Sequence, residues 1–576
     1  MTEHRPWFAS YPKGIPHSLE PYPEISVFSM LEAAVRRFPD NVATAWFGAH
    51  MTYRTLLDHA ERFSAALTGL GVTKGDRVAF ILPNCPQYVV AFYGTVRIGA
   101  IAVGNNPLYT QREMEHQLRD SGAKVVICLD QLYANYAPVF ERLGITDVIV
   151  TSVTDYMKFP LKQLAPLKFK REAKHEGKPW PPVAADAPVR RWTSWLAEAG
   201  VAPVAATIDP RKDPAAFVYT GGTTGVSKGA MLSHFNVTTN SRQAGVWFGD
   251  QIEDGKDALM SILPFFHSYG VTGSLGLAIM YAMKLVIQPR FDLDRTLHDI
   301  AKEKPTLFPG VPRIYQALNE SPKTAKHDLR SIKVCVSGAA ALPPVVAERF
   351  HEITGGANIA EGYGLTECSP ATHVNPTDGT GRIGTVGVPL PDTDCKIVDL
   401  EEPDREVGIG EPGELCIRGP QVMLGYWQRP DETALMIRDG WLHTGDVATM
   451  DADGFFRLVD RVKEMVIVSG FNVYPTEVEQ VLLRHPAVLK CAVIGVPDER
   501  TGEAVKAFVV RREGMAVTEA ELLEWARDPE RGLTGYRAPK AVEFRDDLPV
   551  SVIGKTLRRV LVEEERAKAA AAAPTS

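Results

Sequence analysis

The chain has 576 residues, of which 45% are hydrophobic and 23% charged, and carries a net charge of −7. That is enough chain for two or more domains with their own cores, and the acidic balance excludes a general nucleic-acid binder, so no nucleic-acid partner is expected. The seven cysteines are scattered and form no C-x-x-C, which points to a reducing, cytoplasmic compartment without a structural zinc; the start lacks a signal-peptide pattern, and the longest apolar run, over residues 271–283, is too short to span a bilayer.

Residues 1–25 are rich in proline and aromatic residues and read as an extended arm over a domain surface. Residues 29–38 read as a helix, and 51–56 open another. From 76 to 129 the pattern is α/β, with apolar strands at 77–82, 100–103 and 124–129 and a helix at 87–98 closed by Gly99. Continuous apolar strands alternating with helices argue for a parallel sheet covered on both faces. Residues 155–182 break the pattern. Lys158, Lys162, Lys168, Lys170, Arg171, Lys174 and Lys178 alternate with Phe159, Leu161, Leu164, Leu167 and Phe169. Such an insertion can lie on an anionic membrane surface or stand as a solvated excursion.

The apolar strand 215–218 leads into Tyr219-Thr220-Gly221-Gly222-Thr223-Thr224-Gly225-Val226-Ser227-Lys228-Gly229, and Ala230 to Asn236 read as the approach to a helix with Ser233 as N-cap. The glycines let backbone N–H groups converge on one anion. Thr220, Thr223, Thr224 and Ser227 add hydroxyl donors and Lys228 a point charge. That is the chemistry of a polyphosphate cradle. It is not a P-loop, which places glycine before the lysine and a hydroxyl residue after it, whereas here Ser227 precedes Lys228 and Gly229 follows.

Further on, strand 259–263 runs into Pro264-Phe265-Phe266-His267-Ser268-Tyr269-Gly270, where the histidine is either a packing residue or a substrate contact. Strand 332–336 ends in small residues including Gly338 and Ala339, either for close helix packing or to admit a ligand at the carboxyl end of an open sheet. Then come Glu361-Gly362-Tyr363-Gly364-Leu365-Thr366-Glu367, a twisted hairpin over 410–419 with a turn at Met423-Leu424-Gly425-Tyr426-Trp427, and Trp441-Leu442-His443-Thr444-Gly445-Asp446. A carboxylate after a Thr-Gly turn can accept ribose hydroxyls or merely cap the turn. The charged turn Asp460-Arg461-Val462-Lys463-Glu464 precedes a compact α+β region with helices at 475–484 and 519–526 and strands at 488–496, 504–510 and 541–544. Leu548 to Thr556 carries a single lysine, Lys555, and the tail from Arg566 reads as disordered.

Taken in order, these stretches resemble the adenylate-forming superfamily of acyl-CoA synthetases, peptide adenylation domains and beetle luciferases. Within it the chain looks most like bacterial long-chain fatty acyl-CoA synthetases. The resemblance covers essentially the whole chain and implies an α/β fold. A large composite N-terminal domain (1–460) would be followed by a small mobile α+β C-terminal domain (461–565) and a tail (566–576).

The resemblance also implies site residues. Thr220, Gly221, Gly222, Thr223, Thr224, Gly225 and Lys228 would bind the phosphates, with Tyr363 and Gly364 at the adenine, Thr366 at the α-phosphate, Asp446 at the ribose and Arg461 at the nucleotide. Glu367 and Thr223 would hold Mg²⁺, His267 would position substrate, and Gly338 and Ala339 would border the acyl pocket. Gly470 would line the CoA channel, Lys463 would be the hinge, and Lys555 would serve the adenylation step.

The implied reaction joins a fatty acid to ATP as acyl-AMP, releasing pyrophosphate, and then transfers the acyl group to the thiol of CoA, releasing AMP. Medium-chain or aryl acids, transfer of the adenylate to another protein, and a non-catalytic nucleotide- and lipid-binding scaffold are the competing readings. The oligomeric state, monomer or homodimer, stays open at this level, as does docking of the basic insertion at the inner face of the plasma membrane.

Overall fold

The computed structural model describes residues 5–175, 180–220, 227–528, 533, 535–550 and 556–572. The chain divides into two compact units: residues 11–394 with 418–440, and residues 1–10 with 395–417 and 441–576.

The larger unit contains two sheets. The first has the spatial order Gly425–Tyr426, Lys228–Ser233, Pro214–Thr220, Ile101–Gly104, Arg77–Ile81, Val125–Leu129, Asp147–Thr151, Arg190–Arg191. From Pro214–Thr220 outward to Arg190–Arg191 its pairings are parallel. All five residues of Val125–Leu129 are buried, as are all twelve of the helix Pro86–Arg97, which is the doubly covered parallel arrangement that apolar runs dictate. The second sheet has nine strands among the described residues, and six of them (Asn358–Gly364, Val334–Ser337, Leu307–Gly310, Ala258–Ser261, Lys284–Ile287 and Val42–Trp46) run parallel. Its core includes Met260, Ile300, Phe308, Tyr315 and Phe350, all fully buried.

Two local outcomes differ from the sequence reading. The stretch after the Gly/Thr run is a strand, Lys228–Ser233, antiparallel to Pro214–Thr220. The helix His234–Trp247 follows it with Ser233 as the N-cap the sequence reading expected: the Ser233 hydroxyl accepts the Asn236 N–H at 3.0 Å while Asn236 Oδ1 accepts the Ser233 N–H at 2.9 Å. This reciprocal cap satisfies donors the helix would otherwise leave orphaned. The N-terminal arm also does more than cover a surface. Leu19 and Tyr22 are buried, and the Tyr22 hydroxyl donates to Asp392 at 2.7 Å.

Within the basic insertion, Leu161–His175 forms a helix that buries none of its residues. Phe159 is 81% exposed, and Leu164 and Leu167 are more than half exposed.

The smaller unit has a sheet of Asp394–Val398, Gly413–Arg418, Trp441–Met450 and Phe456–Arg461, and a second of Phe471–Val473, Val466–Val468, Gly502–Arg511, Val488–Asp498 and Ala541–Phe544. Helices Pro475–Leu483 and Glu519–Arg527 contribute Val478, Leu482, Leu522 and Ala526 to a core shared with the second sheet. The tail does not fray where the sequence reading ends order. Helix Arg558–Ala572 takes in residues 566–572, and Lys568 pairs with Glu543 and Glu565 at 2.9 and 2.7 Å. Alanine has the highest helix propensity of any residue, which carries the helix through this run.

Candidate active site

The strands that flank the Gly/Thr run are antiparallel, with Thr220 opposite Lys228, and form a hairpin. Gly221, Gly222, Thr223, Thr224 and Gly225 lie outside the described residues. Where the strand pairing ends, the Ser227 hydroxyl donates to the Thr220 carbonyl at 2.6 Å. The short strand Gly425–Tyr426 pairs antiparallel with Ala230–Met231, on the free edge of the same hairpin. That pairing brings the Tyr426 ring to 4.7 Å from the Lys228 ammonium, a cation–π contact. Lys228 is also ion-paired with Glu432. The Tyr426 hydroxyl donates to Glu367 Oε1 at 2.6 Å. Burial, together with the Glu367 carboxylate, holds the Tyr426 phenol well above the usual range, so it keeps its proton and remains a donor. One tyrosine therefore ties the lysine of the cradle to the acidic residue of the second motif.

Glu367 is buried, and its carbonyl accepts the Met423 N–H at 2.8 Å. Magnesium is commonly held by one or two carboxylates with substrate phosphate oxygens and water. A buried carboxylate steered by a phenol fits that role as protein ligand; Thr223 lies outside the described residues. Thr366, also buried, shares a hydrogen bond with the Ser268 hydroxyl at 3.3 Å. Tyr363 lies on the strand Asn358–Gly364 opposite His373. Gly364 ends that strand where a Cβ would meet the Pro370 carbonyl oxygen at 1.9 Å, so no other residue fits the turn that delivers Thr366 and Glu367.

His267 opens the short helical segment Ser268–Gly270, and its Nδ1 accepts the Tyr269 N–H at 3.3 Å. Burial lowers its pKa to about 4. The imidazole is therefore neutral, with its proton on Nε2, which suits a donor that orients a substrate oxygen. The Tyr269 hydroxyl donates to the Val336 carbonyl at 3.0 Å, and its ring covers Gly338, where a Cβ would come within 3.0 Å of the ring. Ala339 follows in the left-handed region (φ +69) and is exposed.

In the smaller unit Asp446 stands opposite Arg461 across two antiparallel strands, and the Arg461 Nε lies 2.9 Å from Asp446 Oδ1. Asp446 lies within a register shift in Trp441–Met450, where Gly445 takes φ +70. The shift is held by side chains: the Thr444 hydroxyl donates to the Leu415 carbonyl at 2.7 Å, and Glu414 Oε1 accepts the Gly445 N–H at 3.0 Å. Lys463 is exposed in the turn after Phe456–Arg461. Ser469 and Gly470, with φ +53 and +83, are the two turn residues joining Val466–Val468 to Phe471–Val473, the primed geometry that a two-residue hairpin requires. Lys555 lies outside the described residues.

The sequence reading took Met423 to Trp427 as a turn and gave no role to Tyr426 or Glu432, nor to Ser268, Tyr269 or Glu414. The available signal was proximity to motif residues in the chain for Ser268 and Tyr269. For Tyr426, 59 residues from Glu367, there was none.

A family model described as AMP-binding enzyme matches residues 31–427, and one described as AMP-binding enzyme C-terminal domain matches residues 477–555. A long-chain-fatty-acid–CoA ligase of Bacillus subtilis (strain 168) is 43% identical over 98% of this chain and 99% of its own length. One from Escherichia coli O157:H7 is 41% identical over 98% of each chain. A feruloyl-CoA synthase of an Amycolatopsis species is 35% identical over 91% of this chain and 96% of its own. Among solved structures, an anthranilate CoA ligase in complex with anthranoyl-AMP superposes with a TM-score of 0.82 at 27% identity, covering 95% of this chain and 99% of that one.

Proposed function

Since the chain belongs to the AMP-binding enzyme family, we propose that it activates a long-chain fatty acid with ATP, through an acyl-AMP intermediate, to the acyl-CoA, releasing pyrophosphate and AMP. The observation that carries the reading is the Lys228–Tyr426–Glu367 arrangement at the hairpin, a cation and an oriented carboxylate held by one ring. The chain-length assignment rests on relatives named for long-chain fatty acids at 38–43% identity over nearly their whole length.

In this reading the carboxylate of the acid attacks the α-phosphorus and the bond to pyrophosphate breaks. Lys228 and the backbone of the Gly/Thr run bind the phosphates, Thr366 donates to the α-phosphate, and His267 orients the acyl carboxylate from Nε2. Asp446 accepts the ribose hydroxyls and Arg461 braces it. Mg²⁺, held by Glu367 with Thr223, would neutralise the triphosphate. Lys555 stabilises charge on the attacked phosphate and the leaving pyrophosphate. The domain beyond Lys463 then swings, withdrawing Lys555 and presenting the Gly470 turn, and the CoA thiol attacks the acyl-AMP.

The test is AMP formation with ATP, Mg²⁺ and CoA across fatty acids of graded length and a set of aryl acids. A maximum at long chains supports the reading. A maximum at aryl acids retains the mechanism and replaces the substrate; acyl-AMP without thioester supports transfer to another acceptor; no adenylate with any acid leaves the scaffold. Lys555→Ala should abolish acyl-AMP formation yet spare thioester formation from supplied acyl-AMP, and equal loss of both sinks the two-state scheme.

A water-insoluble substrate also gives the helix Leu161–His175 a purpose. Its exposed Leu164 and Leu167, with Phe159 and six basic residues from Lys158 to Lys174, have the composition of a segment that lies on an anionic bilayer. Co-sedimentation with phosphatidylglycerol vesicles but not phosphatidylcholine vesicles, lost in Phe159→Ser/Leu164→Ser/Leu167→Ser, is the expected result. Equal binding to both lipids would remove the electrostatic part, and no binding to either would remove the proposal.

A further inference from the structure

Three metal-ligating side chains converge in the smaller unit. Glu414 and Cys416 are two residues apart on Gly413–Arg418 and so leave the same face of the strand. Cys416 stands directly opposite His443 on Trp441–Met450. The three donor atoms lie within 4.8 Å of one another. His443 Nδ1 is 2.9 Å from Glu414 Oε2 and 3.4 Å from Cys416 Sγ.

A tetrahedral zinc ion, with bonds of about 2.3 Å to sulfur and 2.0 Å to imidazole, spaces those two donors by about 3.5 Å. The sulfur–imidazole edge is therefore already formed, and the imidazole–carboxylate edge needs to open by about 0.5 Å. Cys416 and His443 are buried and Glu414 is half-buried, which leaves the carboxylate side for entry and for a water as fourth ligand. No C-x-x-C spacing announces such a set, because Cys416 and His443 are 27 residues apart in the chain and meet only through the register of the sheet.

The cluster is also joined to the ribose strand. The second Glu414 oxygen holds the Gly445 N–H at 3.0 Å, one residue before Asp446. We propose that Glu414, Cys416 and His443 form a site for a thiophilic divalent cation of the zinc class, and that filling it weakens nucleotide binding through Gly445 and Asp446. Binding releases the Cys416 thiol proton to solvent and selects the His443 tautomer with its proton on Nε2. As Glu414 turns to the ion it loosens its hold on Gly445. Magnesium, a hard cation, does not compete for the thiolate. The effect on nucleotide rests on the adenylation reading; the cation binding does not.

The experiment separates the two. Titration of the full, metal-free chain with Cd²⁺ is followed by thiolate-to-cadmium charge-transfer absorbance. One cation per chain is expected, displaced by Zn²⁺, with the band lost in Cys416→Ser and in His443→Gln while thermal melts show both variants folded. With Mg²⁺ in excess, buffered Zn²⁺ should raise the KM for ATP severalfold in the wild type and leave that of Cys416→Ser unchanged. A band that persists in Cys416→Ser, or no band at all, overturns the site. A band lost in both variants with no zinc effect on the KM for ATP overturns the coupling to Asp446.

Discussion

The Tyr426 hydroxyl donates to Glu367 Oε1 at 2.6 Å while the ring of the same residue lies 4.7 Å from the Lys228 ammonium. Tyr426→Phe separates the two contacts, because it keeps the ring and removes the donor. Hydrogen bonds to charged groups contribute about 1.5–3 kcal/mol, so pyrophosphate exchange should slow by roughly tenfold or more. The Mg²⁺ concentration for half-maximal rate should rise with it. Full activity with an unchanged Mg²⁺ response would show that the phenol does not steer Glu367.

Lys228, which we propose binds the triphosphate, is ion-paired with Glu432. Both side chains are partly exposed, so the pair itself contributes little to stability, and Glu432→Gln should melt like the wild type. The variant removes a negative charge that competes with phosphate, so its KM for ATP should fall by a small factor with kcat unchanged. A rise in KM would mean that the carboxylate orients the lysine instead of competing for it.

Arg558 gathers acidic groups from three segments of the smaller unit. Its guanidinium meets Glu479 on the helix Pro475–Leu483 at 2.8 Å, Glu464 in the turn that carries Lys463, and Asp460 at 3.8 Å. All four are largely buried. Removing the cation from such a group leaves uncompensated charge, at a cost of about 3–5 kcal/mol. Arg558→Met should therefore lower the denaturant midpoint of this unit strongly, and Arg558→Lys should restore only part of it, since lysine cannot reproduce a planar fork. A midpoint close to the wild type in Arg558→Met would contradict the clamp.

Three histidines, His234 and His373 buried and His267 half-buried, set an acid limit. Burial lowers the pKa of His234 and His267 to about 4 and that of His373 to about 3. In the unfolded chain each takes up its proton near 6.5. Between those values the unfolded state binds more protons, so stability is fully present above about pH 6.5 and is lost as pH falls towards 4. Melting temperature should decline across that window. His234 Nδ1 accepts the Val27 N–H at 3.1 Å, a bond that an asparagine oxygen can keep, so His234→Asn should flatten the slope. A wild-type melting temperature that is level from pH 7 to 4 would refute the assignment.

Much of the fold is written locally. Val125 to Leu129 can only be a buried strand, and the helix Glu519–Arg527 carries its own cap, Thr518 with Glu521. Lys228 to Ser233 is different. Its residues lack a decisive period, and it is a strand because Pro214–Thr220 and Gly425–Tyr426 pair with its two edges. The site divides the same way. Glycine and hydroxyl density marked the Gly/Thr run, and Glu367 stood in a recognisable motif. The Tyr426–Glu367 and Lys228–Glu432 contacts span 59 and 204 residues and exist only through long-range pairing. The Glu414–Cys416–His443 cluster depends on strand register in just that way.

The chain alternates between the two compact units, with breaks at residues 10, 394, 417 and 440. During synthesis the larger unit therefore waits for a late segment. Until residues beyond 432 have left the ribosome, the hairpin lacks its edge strand, Lys228 lacks Glu432, and Glu367 lacks the phenol of Tyr426. A nascent chain released at residue 394 would carry the whole Gly/Thr run and the Glu367 motif, yet it would lack the phenol that orients the Glu367 carboxylate. The contacts that order Lys228 and Glu367 thus arrive late in translation, with a 23-residue return of the chain to the unit it had already left.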